Sequence, residues 1–229
     1  MARLLLIRHG QASFLADDYD HLSPLGQQQA RLLGAYLTTS GLVPDRVLTG
    51  PLHRQRDTAR LAASPGWPDA IELDDLTEHQ GDRLLRQHLP AVIASSDELR
   101  RLAGHVALAT DAPERSERVA RLLDRALRRW SVGDFDSLIE PFAVFRARAL
   151  RALDEATRPG ARLVAVFTSG GVIGAMLGSI LHCPDETVCE LGLSSANTSM
   201  TEVLFTHGRR SLRSFNVTTH LDPASLSSR

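Results

Sequence analysis

The strongest constraint on the fold is a set of short, uninterrupted apolar runs. "LLLI" at Leu4–Ile7 and "LVAVF" at Leu163–Phe167 are too short for buried helices and show no apolar–polar alternation. Such runs are strands whose two faces are both covered, the habit of parallel sheets flanked by helices. Arg46–Thr49, Ile71–Leu73 and Glu202–Phe205 read as further strands, and Ser211–Val217 as a sixth at an edge. Helical patterns lie between them. "SPLGQQQARLLGAYL" places Ser23 at the N-cap and Pro24 at the first helical position. "PLHRQRDTARLAA" predicts a second helix from Pro51. The alternation predicts an α/β fold, a three-layer sandwich around a mostly parallel central sheet.

From about 82 to 159 no strand pattern occurs. "ERSERVARLLDRALRRW" puts Val119, Leu122, Leu123, Ala126, Leu127 and Trp130 on one helical face. "SLIEPFAVFRARALRALDEA" does the same for Phe142, Phe145, Ala149 and Leu153. This stretch reads as a helical insertion within one domain spanning 1–229. The C-terminal "LDPASLSSR" reads as loose.

Composition narrows the function. A chain of 229 residues with a formal charge of -1 has no basic field for nucleic acid. No stretch is long and apolar enough for a membrane span, and the first apolar run is too short for a secretory h-region, so a cytoplasmic location is expected. The composition leaves the oligomeric state open. Cys183 and Cys189 lack zinc-site spacing and read as free thiols. All 26 basic residues are Arg, with no Lys. That excludes a Schiff-base lysine and a phosphate loop ending in Gly-Lys-Ser/Thr. Phosphate would have to be held by guanidinium forks, backbone N–H groups and imidazole.

The strand ends carry such groups. Arg8, His9 and Gly10 follow the first strand, where open α/β sheets bind ligands. Alone, the tripeptide is equally a strand cap. Arg54 lies one turn into the helix after the second strand, with Arg56 and Arg60 nearby as surface alternatives. Glu78 follows the third strand, in a loop that also holds Asp74 and Asp75. "VFTSGG" ends the fourth strand, and Gly170 and Gly171 free N–H groups for an anion. Ser169 is a rival nucleophile, but Phe167 stands where a nucleophile elbow needs glycine. Together the set suits phosphoryl transfer through a phosphohistidine: imidazole attacks phosphorus, guanidiniums hold the equatorial oxygens, and a carboxylic acid protonates the leaving alkoxide. That chemistry requires no metal or other cofactor, and Asp17-Asp18 and Asp74-Asp75 read as solvated loops.

"LIRHGQ", "LSPLGQQQARLLGAYL", "TGPLHRQRDTA", "LTEHQG", "VFTSGGVI" and "NTSMTEVLF" occur in that order, and their sequence resembles the phosphoglycerate-mutase-like branch of the histidine phosphatase superfamily. The resemblance implies a phosphatase of small phosphomonoesters, with His9 as nucleophile and Glu78 as proton donor. It implies Arg8, Arg54, Gln11, Ser169 and Gly170 as the substrate-binding set. A mutase and a weakened phospho-ligand-binding protein are the alternatives. Three positions depart from the family pattern: Ala12 where Ser or Thr is usual, Leu15 where Asn is frequent, and Ser169 where a second histidine precedes the glycine pair. An open gap beside Ser169 is expected, so that Ser169→His would raise turnover. The Ser169 hydroxyl and the N–H groups of the turn are expected to replace the missing donor and give a slower phosphatase; His21, His53 and His79 are disfavoured replacements, His53 and His79 because they adjoin Arg54 and Glu78 and neighbouring residues tend to face different ways.

Overall fold

A computed structural model describes residues 1–13 and 20–228. Leu15, Asp17 and Asp18 therefore lie outside the described residues. The elements run β1 (Ala2–Arg8), α1 (Pro24–Thr39), β2 (Arg46–Thr49), α2 (His53–Ala62), β3 (Ala70–Glu72), α3 (Gly81–Gln87), α4 (Leu89–Ala94), α5 (Asp97–Ala107), α6 (Ala112–Trp130), α7 (Phe142–Ala156), β4 (Leu163–Thr168), α8 (Gly170–Leu181), α9 (Asp185–Ser194), β5 (Met200–Thr206) and β6 (Arg209–Val217). The six strands form one sheet in the order β3-β2-β4-β1-β5-β6. β3, β2, β4 and β1 pair in parallel, and β5 pairs antiparallel with both β1 and β6. The predicted mostly parallel sheet is therefore present, with its edge strand at 209–217.

The apolar runs are covered on both faces, as their composition demands. Leu4 and Leu6 of β1 point to one face and join α6, α7 and α8 in a core that includes Trp130, Leu153 and Met176. Leu5 and Ile7 point to the other and join Leu33 and Leu37 of α1 and Ala59 and Ala62 of α2. The chain leaving β1 thus crosses to one face and the chain leaving neighbouring β4 to the other. A crevice opens between them at the carboxyl ends of the two strands, the position of ligand sites in doubly wound sheets.

Two local details differ from the sequence reading. α2 begins at His53 rather than Pro51, because Asp20 Oδ2 accepts the His53 N–H at 2.8 Å and Gln55 Oε1 accepts the Leu52 N–H at 3.2 Å. These two carboxyl and amide oxygens cap the helix there and leave Pro51 outside it. The C-terminal segment is docked, not loose. Gln29 Nε2 donates to Ser225 O (2.7 Å) and Ser227 Oγ (2.9 Å), and Asn197 N donates to Ser227 O (2.8 Å). Of the faces expected in 112–156, Leu122, Ala126, Leu127, Trp130, Phe142, Phe145, Ala149 and Leu153 are buried, whereas Val119 and Leu123 are half-buried. α7 packs against α8, so this helix belongs to the layer that covers the sheet.

Candidate active site

His9 leaves β1 with its N–H donating to Thr168 O at 2.9 Å, which fixes it at the junction of β1 and β4. It is 4% exposed. Its Nδ1 lies 2.7 Å from Gly10 O, a carbonyl that can only accept, so Nδ1 carries the proton and Nε2 the lone pair. Arg54 Nε donates to that Nε2 at 3.2 Å. Burial, then the charges of Arg54 and Arg8, hold the His9 pKa well below the usual imidazole value, against a smaller opposing effect of the Gly10 carbonyl. Neutral, with a lone pair on Nε2, His9 is in its nucleophilic form.

The two arginines are placed by different devices. Arg54 sits on the first turn of α2, 7% exposed, with Nη1 donating to Asp20 Oδ1 at 2.8 Å. Its own carbonyl accepts from Thr58 Oγ1 at 2.6 Å, and that hydroxyl accepts the Gly10 N–H at 2.9 Å, so α2 and the His9 loop are locked together. Arg8 reaches the C-terminal end of α9, where Nη1 donates to Ser195 O, and to Ser228 O at 3.0 Å.

Glu78 stands opposite, after the turn at 74–76. Its Oε2 accepts the Gly171 N–H at 3.0 Å and its Oε1 accepts the His79 N–H at 2.9 Å. Burial raises its pKa, but His79 and the two N–H donors outweigh burial, and the net shift is downward. In the ligand-free protein Glu78 is therefore a carboxylate at neutral pH.

A cavity of about 690 Å³ joins these groups, and Arg8, His9, Arg54, Glu78, Gly170 and Gly171 all line it. Two residues of the expected binding set lie outside its lining. Gln11 donates its N–H to Gln29 Oε1 (2.9 Å) and accepts from Ser23 Oγ (2.8 Å), tying the loop to α1. Ser169 is the N-cap residue of α8 and fully buried. The gap expected beside it is filled: Gln55 Nε2 donates to Ser169 Oγ at 2.8 Å and to Leu76 O at 3.0 Å. Gln55 is itself fully buried and fits only because Gly50 is glycine; a Cβ there would lie 2.1 Å from Gln55 Oε1.

The second imidazole in the cavity is His79, which the sequence reading disfavoured. Its ring packs against both Trp130 and Phe145, at centroid distances of 5.3 and 5.7 Å, the two aromatic rings being 5.4 Å from each other. Nδ1 accepts the Gly81 N–H at 3.0 Å, so in the neutral ring the proton is on Nε2, 3.7 Å from Glu78 Oε1. The ring lies over Gly171, where a Cβ would come within 2.4 Å of His79 Cδ2 and 2.3 Å of Glu78 Oε1. His21 and His53 instead stack on each other, 4.8 Å apart and outside the cavity lining. Among the described residues, no group of three or more His, Cys, Asp or Glu is placed to hold a metal. Asp75 is paired with Arg151 at 2.7 Å.

The family model for the histidine phosphatase superfamily (branch 1) matches residues 4–132 and 109–218. No curated protein matches. Among solved structures, the chain resembles the alpha-ribazole phosphatase of Shigella flexneri (18% identity, TM-score 0.66, covering 94% of this chain and 96% of that one). It resembles the Entamoeba histolytica phosphoserine phosphatase in complex with phosphoserine (21%, TM-score 0.64, 96% and 100%). It also resembles a mycobacterial glucosyl-3-phosphoglycerate phosphatase with inorganic phosphate (24%, TM-score 0.65, 97% and 100%). At these identities the likeness is one of fold. The family match spans both the strand ends that carry His9, Arg54 and Glu78 and the turn at Gly170, and on that ground the chain belongs to the histidine phosphatase superfamily, branch 1.

Proposed function

We propose that this protein is a phosphatase that hydrolyses a phosphomonoester through a phosphohistidine on His9. The carrying observation is the tautomer: Nδ1–H is fixed on Gly10 O, leaving a buried, uncharged Nε2 that faces Arg54. On binding, the substrate phosphate takes over the Arg54 fork and the N–H groups at the start of α8, helped by Arg8. Nε2 attacks phosphorus as the ester P–O bond breaks. The proton for the leaving oxygen passes through Glu78 and comes from the phosphomonoester monoanion, since Glu78 is a carboxylate in the free protein. In the second step Glu78 takes a proton from water, whose oxygen attacks the phosphohistidine as the N–P bond breaks; that proton then passes to the departing phosphate, which leaves as its monoanion and returns His9 and the Glu78 carboxylate to their starting forms.

This chemistry needs a neutral His9 and a monoanionic ester together. Phosphomonoesters lose their second proton near pH 6, about where an ordinary imidazole becomes charged. The depressed pKa of His9 keeps it neutral below that point, so kcat/KM is expected to peak on the acid side of neutrality. His79 supplies the hydrogen-bond donor that Ser169 does not, through Nε2–H beside Glu78 and above Gly171. No observation favours a mutase, which must keep water from its intermediate.

The test is phosphate release from a simple phosphomonoester at mildly acidic pH. The wild type should turn over, His9→Ala should not, and His79→Phe should lose about 10²-fold, as expected for one preorganised donor. Turnover by His9→Ala at the wild-type rate would contradict the reading.

A further inference from the structure

The cavity does not end at the phosphate site. From His79 it continues between α5, α6 and α9, and it is larger than a phosphate and a three-carbon alcohol require; pockets of roughly 300–1,000 Å³ bury much bigger ligands. Its far wall is built from Leu102 of α5, Val119, Ala120 and Leu123 of α6, and Leu193 of α9. Leu102, Val119, Ala120 and Leu123 are half-buried and Leu193 is 36% exposed, so apolar surface faces the cavity without protein covering it. Among charged residues lining this part, carboxylates outnumber guanidiniums: Asp82, Glu98, Glu117 and Asp124 against Arg121 and Arg125. Both arginines are already paired with carboxylates of the same wall, Arg121 with Glu117 at 2.5 Å and Arg125 with Glu98 at 2.7 Å. Asp124 is held by Arg128 at 3.1 Å.

A substrate carboxylate placed here would meet like charge and lose water against aliphatic side chains. An apolar group would lose water against Leu102, Val119 and Leu123 with no such opposition. We infer that the alcohol portion of the substrate is uncharged and largely apolar, of ring or branched-chain size, and bears no carboxylate. This rests on the phosphatase reading for the position of the phosphate, and it separates this chain's preference from that of enzymes acting on phosphorylated acids.

The test compares three alkyl phosphates whose leaving alcohols differ little in reactivity: 2-phenylethyl phosphate, glycerol 3-phosphate and 3-phosphoglycerate, the last adding a carboxylate and no cation. The wild-type kcat/KM is expected to be at least about tenfold higher for the phenylethyl ester than for 3-phosphoglycerate, with the glycerol ester between, a tenfold step being the affinity change of a modest apolar contact. In Glu98→Gln/Glu117→Gln, both exposed positions, the disadvantage of 3-phosphoglycerate should narrow because Arg121 and Arg125 lose their partners. A preference for 3-phosphoglycerate, or equal use of all three, overturns the inference while leaving the phosphatase reading in place. Calorimetric binding of the matching phosphonates, which cannot be hydrolysed, reads the same preference independently. Absence of turnover with all three esters counts against the phosphatase reading, and the phosphonate ranking still decides this one.

Discussion

Ser169→His is the substitution on which the family pattern and the structure disagree most sharply. The pattern favours it, since it restores a histidine before Gly170. In the structure, Ser169 is fully buried and its hydroxyl is 2.8 Å from Gln55 Nε2, so an imidazole has to occupy the space of the Gln55 amide. Forcing a ring into a packed interior costs about 1–3 kcal/mol. Moving Gln55 aside also strips the Leu52 N–H of its acceptor, although Leu76 O keeps the Thr168 hydroxyl at 2.9 Å. Adding part of the roughly 1–3 kcal/mol for an unsatisfied buried donor gives a total near 2–3 kcal/mol. For a domain of this size that lowers Tm by about 4–12 °C. Trimming the obstruction should reverse much of it. Gln55→Ala with Ser169→His is expected to be more stable than the sum of the single variants implies, with a favourable coupling of about 1–2 kcal/mol. The assays are thermal melts of the wild type, both singles and the double, with kcat/KM measured alongside. A Ser169→His protein that melts at the wild-type temperature and turns over faster would show that the space is open and would refute the packing argument.

Other consequences follow from single contacts. Gly171→Ala brings a Cβ within 2.3 Å of Glu78 Oε1 and 2.4 Å of His79 Cδ2; displacing that carboxylate and that packed ring should lower kcat/KM by about 10²-fold and cost about 1–3 kcal/mol of stability in thermal melts. Burial lowers the pKa of His220 to about 4 and lowers that of His9 as well, so the unfolded chain binds more protons than the folded one once pH drops below about 6.5. Stability should therefore be at its full value above that pH and decline steadily towards pH 4 in denaturant titrations, a decline that His220→Phe makes shallower. Cys189 lines the cavity, but burial pushes its thiol up to about 12, so alkylation at pH 8 should leave both Cys189 and activity intact.

The sequence exposed the parts of this site governed by regular periodicity. Strand ends and helix first turns are fixed by the chain's own repeat, which is why Arg8, His9, Arg54 and Gly170 could be placed beside one another from residue spacing. His79 escaped because the alternation of adjacent side chains holds only in extended backbone. After the turn at 74–76 the Glu78 carboxylate folds back to accept its neighbour's N–H, and both side chains reach one cavity. Gln55 escaped because a glutamine on a polar helix gives no sign of burial; its role depends on Gly50 and Ser169, which are distant in sequence. The docking of Ser225–Ser228 is likewise made by three carbonyls and the Ser227 hydroxyl meeting Gln29, Asn197 and Arg8, which no composition of the tail itself reveals.

The central claim is that His9 accepts the phosphoryl group on a specific nitrogen. With Nδ1 2.7 Å from Gly10 O, the lone pair is on Nε2. Rapid quenching under alkaline conditions during turnover, followed by peptide mass spectrometry and phosphorus NMR, should find phosphate on His9 and assign it to Nε2. Phosphate on Nδ1 of His9, on Ser169 or on no residue at all during active turnover would contradict the account.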